Sequence, residues 1–133
     1  INPLRIEKDF KIISHFKKDF EQIDFLKAGE LALLEVQIES SNESDYVIIE
    51  VPIPAGCSYN KTNDTKNPNE VHREYYKHKV VIFCEKLPIG KHRFEINLQP
   101  RYSGTYTLNP AKAELMYFPT IFGREEMKEV EIR

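Results

Sequence analysis

The stretch Tyr46-Val-Ile-Ile-Glu-Val-Pro-Ile-Pro-Ala-Gly56 constrains this chain more than any other. Tyr46 to Val51 predicts a strand, with Val47, Ile49 and Val51 on one face. Pro52 and Pro54 then lack the N–H that a strand donates to its neighbour. Ala55-Gly56 predicts a turn. A strand stopped by a rigid Pro-x-Pro-Ala-Gly corner belongs in a layered β structure, where each strand ends at a defined edge. Nothing in the corner is a catalytic device.

The remaining segments predict more strands of the same kind. Leu4 to Ile13 alternates loosely and predicts two short extended pieces. Ile13, Phe16, Phe20 and Ile23 sit at helical spacing, which predicts one or two helical turns over Ser14 to Gln22. Lys27 to Glu30 predicts a turn, with Gly29 free to take positive φ. Ala32, Leu34, Val36 and Ile38 alternate with Leu33, Glu35, Gln37 and Glu39, so one face is core and the other mostly wet. After the turn-rich link Ser40 to Asp45, the Tyr46 strand is expected to pair back as an antiparallel hairpin. Ser58 to Asn69 predicts a surface loop. Its Asn60 and Asn63 triplets match glycosylation acceptors only by a short pattern. Val71 to His78 predicts a polar-aromatic strand with Tyr75 and Tyr76. Val80, Ile82 and Cys84 form the next strand, apolar on both faces. Leu87 to Gly90 predicts a turn, and His92, Phe94, Ile96 and Leu98 a half-buried strand. Ser103-Gly104 turns the chain, and Thr105 to Leu108 is short and extended. Ala113 to Phe118 and Met127 to Ile132 are strands, with Phe122 to Arg124 a turn or loop between them. Eight or nine strands with little helix predict an all-β, antiparallel β-sandwich.

The chain's 133 residues fit one domain with a real core. Lys and Arg number 19 against 21 Asp and Glu, for a net charge of -2. That balance argues against a nucleic-acid binder. No apolar run reaches the ~20 residues that cross a bilayer. The opening Ile1-Asn2-Pro3, without Met, suggests a piece of something larger.

No constellation advertises chemistry. His15, His72, His78 and His92 are scattered. His72 and His78 would share a side, but a metal there needs ligands the sequence does not supply. Glu35, Glu39, Glu50, Glu74, Glu95 and Glu114 alternate with apolar residues, the pattern of solvated strand faces. Isolated glycines make no phosphate-cradling loop. No cofactor or metal is called for, and the chain does not read as an enzyme. Cys57 and Cys84 either form a disulfide or are two buried thiols, because pairing is not legible from sequence.

Three strings in order carry a resemblance: LKAGELALLEVQIES, DYVIIEVPIPAGCSY and KVVIFCEKLPIGKHRFEINLQPRYSGTYTLNPAKAELMYFPTIFGRE. The first supplies the entry at Gly29, and the second the corner from Tyr46 to Gly56. The third holds a Val80–His92 hairpin and then Gly104, Pro110, Ala111, Ala113, Glu114, Met116, Tyr117, Pro119, Gly123 and Arg124. Over Leu26 to Ile132 the chain resembles the C-terminal domain of bacterial alpha-2-macroglobulin-like proteins.

The resemblance implies a macroglobulin-like sandwich, residues 1–133 as one domain, ending a large periplasmic or secreted broad-spectrum protease inhibitor. It implies a non-catalytic role, packing against neighbouring macroglobulin or thioester domains of the same parent chain. Proteases would be targets of the full-length protein. The family's thioester string, Cys-x-Glu-Gln, belongs to another domain and is absent here, so Cys57 and Cys84 are not thioester residues. Tyr117, Phe118 and Phe122, with Arg124 beside them, are the candidate contact residues, since Tyr and Arg are favoured at interface hot spots. The alternative is that Tyr117 packs in the core and Arg124 caps a turn. An alternative function is a carbohydrate-binding or adhesion sandwich module of a secreted protein, which needs exposed aromatics on one sheet face. A small hydrolase would need one His or Glu whose replacement ends turnover.

Overall fold

A computed structural model describes residues 10–19, 21–40, 43–59, 67–115, 122–124 and 128–133. In chain order the strands are β1 (Phe10–Lys18), β2 (Glu21–Ile23), β3 (Ala32–Ser40), β4 (Ser44–Pro52), β5 (Cys57–Tyr59) and β6 (Glu70–Tyr76). They continue as β7 (Lys79–Leu87), β8 (Gly90–Pro100), β9 (Gly104–Leu108), β10 (Lys112–Leu115), β11 (Phe122–Arg124) and β12 (Lys128–Ile132). The first sheet has the order β2-β1-β3-β8-β5, the second β11-β10-β4-β7-β6, and β12 pairs with β9. Every one of these ladders is antiparallel. The all-β sandwich expected from the sequence is therefore the fold.

Alternation puts one face of each sheet into a common core. Leu34, Val36, Ile38, Phe94, Ile96 and Leu98 come from the first sheet. Val47, Ile49, Val51, Val80, Ile82, Cys84 and Ala113 come from the second. Leu26, Leu108, Val130 and Ile132 join the same cluster. The Leu26 segment is tied to the last strand, with Leu26 N donating to Glu131 O at 2.9 Å and Arg133 N to Leu26 O at 2.7 Å. Gly29 takes the expected positive φ, 89°.

Five expectations change. Residues 14–18 are strand, not helical turns. Ile12, Ser14 and Phe16 are buried on one side, while Ile13 is 61% exposed on the other. A buried serine in the core register hid the alternation; Lys128 Nζ meets its need by donating to both Ser14 O and Oγ at 2.8 Å. The β3–β4 hairpin does not exist, because β3 pairs with β1 and β8 while β4 pairs with β10 and β7. The expected hairpin around Leu87–Gly90 fails in the same way, since β7 and β8 lie in different sheets. Sheets stand about 10 Å apart, a gap that three or four extended residues span. Short links thus serve as sheet-crossing corners, and Gly90, at φ 122°, sits at one. Phe122–Arg124 is not a turn but strand β11, and Ser58-Tyr59 belongs to β5 instead of a loop. The expected strand pieces before Phe10, the Asn60 and Asn63 triplets and residues 116–121 lie outside the described residues.

The Pro-x-Pro-Ala-Gly corner carries the chain from β4 in the second sheet to β5 in the first. Ile53 N donates to His78 O at 2.9 Å, and Cys57 N to Pro54 O at 3.1 Å. Gly56 O accepts from Arg101 N at 2.8 Å and Tyr102 N at 3.2 Å. Tyr106 Oη donates to Tyr102 O at 2.8 Å, directly over the glycine. A Cβ on Gly56 would fall 2.5 Å from Tyr106 Oη and 2.9 Å from Tyr102 O. The glycine is required for close approach of two chain segments.

Gly56→Ala should therefore lower the unfolding free energy by about 2–3 kcal/mol through overpacking against backbone. Urea denaturation checks this. A change below about 0.5 kcal/mol, the scale of a surface substitution, would show that the corner yields freely.

Candidate functional site

Two of the contact residues expected from the sequence, Phe122 and Arg124, lie on the edge strand of the second sheet. Phe122 and Arg124 stand in β11, in register with Glu114 and Lys112 of β10. Tyr117 and Phe118 fall outside the described residues. The structure thus brings Phe122 and Arg124 together on an edge strand.

The outer face of the first sheet holds a group that its alternation pattern assigned to water. Glu35 is on the solvent side of β3, yet its side chain is only 1% exposed. His15 of β1 stands opposite it on one side and Glu95 of β8 on the other. Glu35 Oε1 lies 2.8 Å from His15 Nε2 and accepts from Gln37 Nε2 at 3.1 Å. Its Oε2 accepts from Lys17 Nζ at 3.2 Å and lies 3.4 Å from Arg93 Nη1. Burial alone would raise the carboxyl pKa. The hydrogen bonds from Lys17, Gln37 and His15, with the Lys17 charge, outweigh burial and hold it below the usual carboxylate range. Cations and amides converge on the carboxylate, which makes this a charge-compensation network.

A second buried pair closes the gap between the sheets. Arg73 and Glu70 of β6 have side chains that are each 1% exposed. Arg73 Nε donates to Glu70 Oε2 at 2.9 Å and Nη2 to Oε1 at 2.7 Å, a bidentate fork. Arg73 Nη1 also donates to Glu95 O at 2.9 Å, reaching from an edge strand of the second sheet to β8 of the first. Asn67 N adds a bond to Glu70 Oε1 at 3.1 Å, and Asn67 Nδ2 one to Arg93 O at 2.8 Å. Tyr59 completes this seam, its hydroxyl donating to Lys79 O at 2.6 Å and its ring edge-on to Tyr75 at 4.9 Å. Sequence reading missed the fork. Its only signal was an i,i+3 Glu–Arg pair at the start of a strand, where a β-bulge between Glu70 and His72 brings both inward.

The remaining reactive side chains are accounted for structurally. His92 Nε2 is 2.7 Å from Pro88 O, which only accepts, so Nε2 carries the proton. Its Nδ1 then accepts from Asn69 Nδ2 at 3.3 Å. His72 is exposed, 3.5 Å from Glu74 and stacked on Phe83. Cys57 and Cys84 are free, buried thiols in opposite sheets. Burial pushes both pKa values up to about 12, with the Glu70 charge adding to the effect at Cys84. Among the described residues, no three His, Cys, Asp or Glu gather to hold a metal ion. Tyr46, Tyr76 and Tyr102 are exposed. Tyr46 and Tyr76 lie toward opposite ends of β7, and Tyr102 lies in the β8–β9 link, so the three form no contiguous aromatic strip. Among the described residues, the buried charges are already engaged by internal partners.

Residues 4–120 match the family profile described as the bacterial alpha-2-macroglobulin MG10 domain. Among curated proteins, none matches the chain. Similar solved structures include native alpha-2-macroglobulin from Escherichia coli spanning domain MG7 to the C-terminus. It has a TM-score of 0.80 and 18% identity over 99% of this chain and 24% of that one. Trypsin-activated alpha-2-macroglobulin from Escherichia coli gives 0.81 and 18%, over 96% of this chain and 10% of that one. Salmonella alpha-2-macroglobulin reacted with methylamine gives 0.80 and 16%, over 96% and 9%. At these identities the structures show a shared fold, and this chain spans a quarter or less of each.

Two outcomes test the buried charges. Arg73→Ala should cost about 3–5 kcal/mol by stranding Glu70, while Glu70→Leu with Arg73→Met should recover most of that loss. Chemical denaturation of both variants decides it; a mild Arg73→Ala would remove the inter-sheet role. For Glu35, the folded pKa lies below the unfolded value. Its contribution is complete above the unfolded pKa and is lost as pH falls through the folded one. The Tm deficit of Glu35→Gln should thus be steady near neutrality and shrink on acidification from about pH 7 to pH 3. A deficit that grows with acid would contradict the network.

Proposed function

The chain belongs to the bacterial alpha-2-macroglobulin MG10 domain family, and on that premise we propose that it is a non-catalytic structural and interaction domain. Its parent would be a protease-trapping, alpha-2-macroglobulin-like inhibitor of the periplasm or cell exterior. Within that parent it packs against neighbouring macroglobulin or thioester domains, and proteases are targets of the whole protein. The observation that carries this reading is the family match over residues 4–120. The chemistry of the sandwich supports it: the Glu35 network and the Glu70–Arg73 fork are spent on internal bonds. Residues 1–133 act as one domain on this reading. Among the described residues, no helix is long and apolar enough to cross a membrane.

Tyr117, Phe118, Phe122 and Arg124 are the side chains proposed for contact, with Phe122 and Arg124 on the β11 edge. Aromatic and Arg anchors at interface centres each cost about 2 kcal/mol or more when truncated. In the parent polypeptide, Tyr117→Ala with Arg124→Ala should reduce inhibition of trypsin at least several-fold. The same pair in this chain alone should move its Tm by no more than a few degrees. Undiminished inhibition by the substituted parent would remove these residues from the interface. Protease or glycosidase turnover by the purified chain, abolished by one His or Glu substitution, would overturn the non-catalytic reading.

A further inference from the structure

The two broad outer faces of the sandwich differ in chemistry: a buried carboxylate network closes one, while the other carries the more exposed pairs Lys79–Glu50 and His72–Glu74. On the first sheet, His15, Lys17, Gln37 and Arg93 converge on Glu35 and bury it. A partner seated there would have to break charge-assisted bonds to gain contact. The second sheet is organised otherwise. Ala113, Ile49 and Ile82 stand in register and point into the core, fully buried. The rows on either side of them therefore face outward.

One outward row runs Glu114, Ile48, Phe83 and His72 across β10, β4, β7 and β6. The next runs Lys112, Glu50, Val81 and Glu74. Ile48, Phe83 and Val81 form an apolar centre, with the His72 ring stacked on Phe83 at 5.7 Å. Val81 is 9% exposed although it lies on an outer face. Glu50, Glu74, Glu85 and Glu114 frame this centre, against Lys79 and Lys112. Lys79 is already drawn to Glu50 at 3.4 Å. β11 pairs beside β10 in register, Phe122 with Glu114 and Arg124 with Lys112.

We propose that this face seats a neighbouring domain of the parent polypeptide, through a surface with an apolar centre and a basic rim. The proposal rests on the interaction-domain reading and adds the face and the chemistry of its partner. Charge decides the rim, because an acidic frame attracts cations and repels a second copy of itself. Area decides the kind of partner. Five strands about 4.8 Å apart and about 20 Å long give a face of about 500 Å². That suits an interface between domains of one chain, about 300–750 Å² per side. It falls short of the roughly 800 Å² per partner of a stable complex between separate proteins.

Thiol labelling of the parent and of this chain alone tests it. The native Cys57 and Cys84 are buried with pKa values of about 12, so they stay silent. Glu74→Cys reports on the second sheet's outer face and Lys11→Cys on the first's, both at exposed positions. Glu74→Cys should react with maleimide at least about tenfold more slowly in the parent than in this chain, and Lys11→Cys equally in both. Reversing the frame with Glu50→Lys and Glu114→Lys should restore the fast rate in the parent. Slowing at Lys11→Cys alone would overturn the face but leave the interaction-domain reading intact. Slowing at neither position would overturn both. Slowing at Glu74→Cys that charge reversal does not relieve would overturn the basic rim. Slowing that rises with concentration in this chain alone would make the occupant a second copy.

Discussion

The structure depends on crossing a gap. Sheets in a sandwich lie about 10 Å apart, and this chain changes sheets at links too short to wander. Pro52 to Gly56 is one such link, and Leu87 to Gly90 is another. Two prolines remove backbone conformers and donors at the first. Ile53 N, the one amide between them, is satisfied by His78 O. Gly56 then lets the β8–β9 link lie directly against the corner, with Tyr106 Oη bonded to Tyr102 O over it. Placement of β5 beside β8 follows from that contact. So does the position of Tyr59, whose hydroxyl reaches back across to Lys79 O.

What was legible in the sequence follows from period. In β4 and β8 the inward runs Val47–Val51 and Phe94–Leu98 are apolar at every second residue, and each was recovered with its correct face, whereas β7, read as covered on both sides, turns Phe83 and Glu85 outward. In β1 the same period is present, but Ser14 occupies an inward position and Phe16 and Ile23 suggest a helical repeat instead. Lys128, far along the chain, is what makes a serine acceptable there. Pairing was less legible than face. A short polar link between two strands has the same composition whether it reverses within a sheet or crosses to the other. The β3–β4 and β7–β8 connections took the second course.

Buried charge was invisible for a related reason. Glu35 alternates correctly with its core neighbours and is on the solvent side of the sheet. Its burial comes from His15 and Arg93 on other strands. Arg73 reads as an ordinary strand residue until the bulge at Glu70 turns both partners inward. Each group acquires its role only when strands distant in sequence are set side by side. The candidate contact residues were chosen by residue type, and spacing assigned Phe122 to Arg124 to a turn where the structure has strand β11.

These placements together give the buried charges of the described residues a structural role. A buried ion pair is costly to form and strongly destabilising to break, and here two such sets hold the first sheet's outer face and the seam between the sheets. A catalytic acid or base must instead keep a proton free to exchange with substrate. Glu35 and His15 are bonded to each other, Glu70 is clamped by Arg73, and both thiols are buried. The less self-satisfied surface is apolar and acidic, on a sheet whose edge strand carries Phe122 and Arg124. A domain built this way spends its buried charge on internal rigidity, and the proposed contact would form on the second sheet's outer face. Rigidity matters for that contact, because a pre-ordered surface loses less entropy on docking than one that must first be ordered.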